Sequence, residues 1–140
     1  MKERKLRILF NSNAPFSTSG YGSQMFHLLP AFRDEGFPIA QVCFYGLEGG
    51  AIELEGIKLY PRIGSVWGDD AMVEHAKDFK ADIVIGFQDQ WVLNPQLLAQ
   101  IPRYIPYLPI DHDPVPQAIV DRIKSAYRII TYSQFGKDQL

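Results

Sequence analysis

The densest group of chemically capable side chains is Asp111-His112-Asp113, followed by Pro114. A histidine between two carboxylates can be held in one tautomer with a raised pKa, ready to hydrogen-bond a ligand hydroxyl. The same triplet could suggest metal ligation. Adjacent loop residues rarely converge on one ion, however, and no second cluster of His or Cys accompanies them, so no metal is expected. The plainer reading has Asp113 capping the next helix and His112 exposed. The position of the triplet after an apolar run favours function, because open α/β sheets bind ligands beyond the carboxyl ends of their strands.

A second candidate is Ser17-Thr18-Ser19-Gly20-Tyr21-Gly22. Glycines just before a helix let backbone N–H groups approach an anion, which the helix N-terminus also favours. The spacing is neither G-x-G-x-x-G nor G-x-x-x-x-G-K-[ST], which argues against a dinucleotide fingerprint or a P-loop. Phosphate contact and a plain serine-capped turn both remain open. Gln88, Asp89, Gln90 and Trp91 could form a polar pocket wall with an aromatic platform, although a loop with Trp91 packed inward is preferred. Ser133 ends the last apolar run. His27 and His75 fall within helical patterns and read as ordinary surface or partly buried residues. No serine sits in a G-x-S-x-G elbow, so a hydrolytic triad is unsupported. Cys43 lies in an apolar run and reads as a buried, inert thiol.

These groups need elements to position them. Lys5–Asn11, Ile39–Tyr45 and Asp82–Phe87 read as buried strands, and Tyr127–Tyr132 as the last one. Tyr104–Ile110 should be a strand chiefly in its later part, because Pro106 and Pro109 each remove a ladder donor. Ile52–Leu54 and Ile57–Tyr60 alternate around Glu55-Gly56, which suggests a short hairpin. Helices are expected around Met25, Leu28, Leu29 and Phe32, kinked or divided at Pro30 and stopped by Gly36. Others should follow a cap at Asp69 or Asp70, start at Asn94-Pro95 and end by Pro102, open at Pro116, and begin at Ser133. Strands alternating with helices predict a doubly wound, mostly parallel Rossmann-like sheet with helices on both faces and one small β-hairpin insertion. Its strand ends would bring together Asn11–Gly22, Gly46–Gly50, Gln88–Trp91, Asp111–Asp113 and Ser133.

At 140 residues the chain is long enough for one domain with a substantial core. Its 46% hydrophobic and 21% charged residues are ordinary for a globular protein. A net charge of -2 gives no field that would favour nucleic acid. One cysteine leaves no internal disulfide, and neither a signal peptide nor a spanning segment is apparent, so a cytoplasmic protein is expected. Lys2, Arg4, Lys5 and Arg7 leave peripheral contact with an anionic membrane open, although a solvated start to the first strand is preferred. The last helix has barely begun at Leu140, so the chain looks cut.

The order of segments resembles the N-terminal domain of GT-B glycosyltransferases, particularly the retaining group-1 (GT4) family. Lys5–Asn11 is similar to that family's opening strand, and Ser19-Gly20-Tyr21-Gly22 to its glycine-bearing loop. Leu28-Leu29-Pro30-Ala31-Phe32 with Glu35-Gly36-Phe37 is similar to its leucine-rich helix and following Gly-His-x-Val stretch, from which Phe37 and Pro38 depart. Ala81–Ile85, Tyr107–Asp113 and Ala126–Ser133 resemble three later strands of the family in the right order. The resemblance implies transfer of a sugar from a nucleotide-sugar donor to an unidentified acceptor, with retention and without a metal or other cofactor. It implies that His112 acts catalytically, orienting a hydroxyl and stabilising developing charge. Gly20 and Gly22 would approach the donor diphosphate. Tyr21, Gln88, Asp111, Asp113 and Ser133 complete the expected substrate-binding set. Residues 1–140 would be the acceptor-side domain, inactive without a C-terminal donor-binding domain beyond Leu140, since catalysis needs both walls of the cleft.

Two other classes compete. A free-standing nucleotide- or sugar-binding module would use the same strand-end cleft and bind without a second domain. A receiver-like or flavodoxin-like interaction domain fits less well. The first strand ends in Asn11, Ser12 and Asn13 rather than an acidic pocket, and a flavodoxin-like protein would show flavin absorbance.

Overall fold

A computed structural model describes residues 4–101, 103–108, 114–124 and 126–139. Among these, seven strands form one sheet: β1 (Ile8–Asn13), β2 (Ile39–Tyr45), β3 (Ile52–Leu54), β4 (Ile57–Pro61), β5 (Ile83–Phe87), β6 (Tyr104–Leu108) and β7 (Ile130–Thr131). They lie in the order β3-β4-β2-β1-β5-β6-β7, and every neighbouring pair except β3 and β4 is parallel. With β3 set aside, the parallel strands taken in chain order lie 3-2-1-4-5-6, an order compatible with a Rossmann-like fold. The strand order reverses between β1 and β5.

The continuous apolar runs have a direct cause. Side chains alternate across a strand, and here both faces are covered. Leu9, Ala40, Val42 and Val84 pack with Ala71, Met72, Val73 and Ala76 of α2 (Asp69–Phe79) and with Leu98 of α3 (Pro95–Leu98). The alternate residues Ile8, Phe10, Ile39, Cys43 and Ile85 pack with Met25 and Leu29 of α1 (Gly20–Asp34). A smaller cluster joins Leu108 to Ile123 of α4 (Gln117–Ile123). The chain then runs through β7 into α5 (Gln134–Gln139).

Several expectations change. Pro30 neither divides nor ends α1, which runs on to Asp34. Proline costs that helix one backbone bond, but buried Met25 and Leu29 and half-buried Phe32 hold the turns on both sides of it against the sheet. Gly36, at φ 91°, stops the helix and donates to the Arg33 carbonyl at 2.9 Å. β3 and β4 meet at Glu55 and Gly56, both at positive φ, as a two-residue turn between antiparallel strands requires. β4 is nonetheless part of the parallel sheet, with Ala40 opposite Lys58 and Val42 opposite Tyr60.

β6 is formed from its first residue and includes Pro106. β7 pairs with β6 only from Tyr107 onward, so on that side no ladder bond is lost at the proline. β7 itself is two residues long rather than six, an edge strand with only two rungs. Neither Asp69 nor Asp70 caps α2. The cap is Gly68 at φ 79°, because Asp69 is buried and accepts from the Asn94 and Asp70 amides while Asp70 also holds the Gly64 and Ser65 amides. Asn94 caps α3 as expected, accepting from the Gln96 amide at 2.9 Å. Among the described residues no helix is long and apolar enough to cross a membrane.

Candidate functional site

The carboxyl end of β1 meets the start of α1 at the reversal of strand order. Ser12 is buried and its hydroxyl donates to the Phe87 carbonyl of β5 at 2.7 Å. Asn13 Nδ2 donates to Ser19 Oγ at 2.7 Å, and Ser19 Oγ in turn accepts from the Gly22 amide at 3.0 Å. Ser19 is thus the N-cap of α1, with extended backbone angles. The two glycines of this turn have different duties. A Cβ on Gly22 would lie 2.2 Å from Ser17 Oγ and 2.7 Å from the Ser17 carbonyl oxygen, so Gly22 lets the chain fold under the helix. Gly20 is exposed, and a Cβ there would meet nothing within 4 Å. The Gly20 and Tyr21 amides have no partner among the described residues. They offer two donors at the positive end of a 15-residue helix.

Across the switch point, β5 ends in Phe87 and is followed by Gln88 and Asp89. Gln88 is buried, accepts from Asn11 Nδ2 and donates to the Trp67 carbonyl at 3.2 Å, so its side chain braces β1 and the 64–68 loop. Gln90 is buried too. It accepts from Tyr104 Oη at 2.6 Å and donates to the Gln88 carbonyl at 2.9 Å. Asp89 is exposed and accepts from Tyr21 Oη at 3.2 Å, linking α1 to β5 over the crevice. Trp91 points outward rather than inward, at 57% exposure, because the one-turn 3-10 helix Gln90–Val92 buries Gln90 and the chain then buries Leu93.

An aromatic wall stands behind Tyr21. Its ring meets Phe87 edge-on at 5.4 Å, Phe87 meets Tyr107 at 4.7 Å, and Tyr132 stacks on Phe87 at 5.8 Å. Burial, the adjacent Tyr132 phenol and the Asp89 carboxylate all push the Tyr21 phenol far above its usual pKa. Burial pushes Tyr132 up to about 12. Both phenols are therefore neutral donors at physiological pH. Ser133 is exposed and caps α5, accepting from the Gly136 amide at 3.2 Å. Asp111, His112 and Asp113 lie outside the described residues, as do Pro102, Pro109 and Ile110. Of the expected set, the structure brings Gly20, Tyr21 and Gly22 to the crevice, places Gln88 beneath it as a brace, and puts Ser133 after β7.

The sequence reading missed a cavity on the other side of β1. About 380 Å³ in volume, it is lined by Asn13, Ser19, Phe44, Tyr45, Arg62, Val66 and Trp67. Arg62 directly follows β4. Reading β4 as part of a hairpin insertion left its carboxyl end out of the strand-end list. A parallel assignment would have included it.

No family model matches the sequence, and no curated protein matches it. The described residues show no nucleophile paired with a base. His27 is exposed, and His75 Nε2 lies 3.0 Å from the Pro61 carbonyl oxygen, its pKa lowered by burial. Cys43 is buried and pushed up to about 12 by that burial. Among the same residues no three His, Cys, Asp or Glu side chains converge as a metal would require. The arrangement suits binding and orienting a ligand with anionic and hydroxyl groups.

Proposed function

We propose that this chain is the acceptor-side half of a GT-B glycosyltransferase, a doubly wound domain with a small hairpin at its edge. It would transfer a sugar with retention from a nucleotide-sugar donor. The observation that carries this reading is the open start of α1 at the strand-order reversal. There the Gly20 and Tyr21 amides, without a partner among the described residues, stand beside the Tyr21 phenol and Asp89, ready for a diphosphate and for sugar hydroxyls. Tyr107 and Tyr132 extend the same wall with apolar ring surface. The resemblance of the ordered segments to GT4 N-terminal domains supplies the class of reaction, and His112 its hydroxyl-orienting group. In this reading the donor binds chiefly to a second, C-terminal domain, and transfer begins only when both walls enclose the substrates.

The polypeptide from its native source is expected at roughly two to three times the mass of this chain. The full-length protein should release nucleoside diphosphate from a nucleotide sugar when an acceptor is supplied. His112→Ala should cut that turnover by about 10²–10⁴-fold while leaving the thermal midpoint nearly unchanged. A native mass near 15.9 kDa would replace the enzyme with a free-standing binding module. A normal rate in His112→Ala would remove the role given to that residue.

A further inference from the structure

We propose that the cavity between β1, β2 and β4 is a subsite for a phosphomonoester-bearing saccharide, which makes the acceptor of the transfer reaction a sugar phosphate. The inference rests on the glycosyltransferase reading for the word acceptor, and on the cavity itself for the ligand chemistry. Two sources of positive potential reach this space from different elements. Arg62 at the end of β4 forms no hydrogen bond or ion pair among the described residues, and Ser19 is the cap at the positive end of α1. Among the described residues no carboxylate lines the cavity. Arg62 also lines the neighbouring hollow, where Glu48 lies without forming an ion pair with it. An exposed guanidinium with no ion pair among the described residues favours an anion, and its planar fork matches phosphate oxygens.

The remaining lining fits a ring. Trp67 meets Phe44 edge-on at 5.9 Å and remains 42% exposed, and Tyr45 is 60% exposed. Together they offer aromatic surface to the apolar face of a pyranose, while the Asn13 amide and Ser19 hydroxyl can address its hydroxyls. A volume of about 380 Å³ lies within the usual range for small-ligand sites. Ser19 belongs both to this cavity and to the turn bearing the Gly20 and Tyr21 amides. An acceptor held here would therefore lie next to the proposed diphosphate position, across β1 from the aromatic wall.

The test is direct binding, read by the fluorescence of Trp67 in the 140-residue chain carrying Trp91→Phe. Glucose 6-phosphate should shift the emission saturably. Glucose should bind about ten- to a hundredfold more weakly, the value of one lost charge-assisted contact, and inorganic phosphate more weakly too, because it lacks the ring that Trp67 and Tyr45 would meet. Arg62→Gln should bring glucose 6-phosphate to the level of glucose without lowering the thermal midpoint. Discrimination that survives in Arg62→Gln, or its absence in the parent, overturns the proposal. Inorganic phosphate binding as tightly as the sugar phosphate overturns it in favour of a free-anion site, and tighter binding of UDP does so in favour of the donor. None of these readings needs a donor or a transfer step. Loss of the transferase reading with the phosphate preference intact is thereby distinguishable from transfer without that preference.

Discussion

A Cβ added at Gly22 would lie 2.2 Å from Ser17 Oγ, 2.7 Å from the Ser17 carbonyl oxygen and 2.9 Å from that of Ala14. The hydroxyl can rotate away, but the two carbonyls belong to the turn that carries Ser19 and cannot move without it. Gly20, two residues earlier, faces open space and has no left-handed φ. Gly22→Ala should therefore lower stability by about 1–3 kcal/mol, whereas Gly20→Ala should be neutral or stabilising by up to about 1 kcal/mol. Urea titrations of the two variants measure the difference, and equal midpoints would refute the division of labour. Residue type alone did not reveal it, since both are glycines beside Tyr21. Polarity was equally mute at Gln88. A glutamine after a strand reads as pocket wall, yet buried partners on β1 and at Trp67 claim its amide.

Elements transmit such contacts to the site. β5 has glycine at position 86 because Tyr104 crosses from β6 there, and a Cβ on Gly86 would fall 2.2 Å from Tyr104 Oη. That phenol donates to Gln90, and Gln90 donates back to the Gly86 and Gln88 carbonyls, so β6 anchors the turn presenting Asp89. Tyr104→Phe would leave Gln90 Oε1 buried without its donor, at a cost of about 1–3 kcal/mol. It should also speed amide exchange across residues 88–92 more than elsewhere in the sheet, and uniform exchange would show that the turn is held by other contacts. The sequence displayed β1, β2 and β5 because burial on two faces writes a near-continuous apolar run. β1 nonetheless begins at Ile8 rather than Lys5 and runs on to Asn13 through buried Asn11 and Ser12. β4 was legible as a strand, but its parallel pairing with β2 escaped for a physical reason. Its turn with β3 is signalled locally by Glu55-Gly56, while its parallel partner β2 is contacted through a long connection that leaves no local pattern.

At the scale of the molecule, the sheet's closed core sets how stability responds to alkali. Cys43 lies on β2 beneath α1, and burial raises its thiol to about 12, against about 8.5 in an unfolded chain. Between those values the unfolded chain releases a proton that the folded one retains, so alkali favours unfolding. The thiol's contribution is complete below about pH 8.5 and disappears as pH rises through the folded value. Tyr132 adds a similar loss starting near pH 10, weakened because it is 46% exposed. Tyr21 and Tyr104, both raised by burial, join from the same pH. The carboxylates shift the opposite way. Asp82 is held below its usual range by the Arg4 guanidinium and the Arg7 amide, so its contribution is present above about pH 4 and is lost only in stronger acid. The interval from about pH 8.5 to 10 therefore separates the thiol from the phenols. Cys43→Ala should start less stable at neutral pH, because it removes a buried sulfur. Its unfolding free energy should then decline less steeply than the parent's across that interval, bringing the two curves together. Parallel curves would mean that the thiol titrates alike in both states, and that solvent reaches β2 beneath α1.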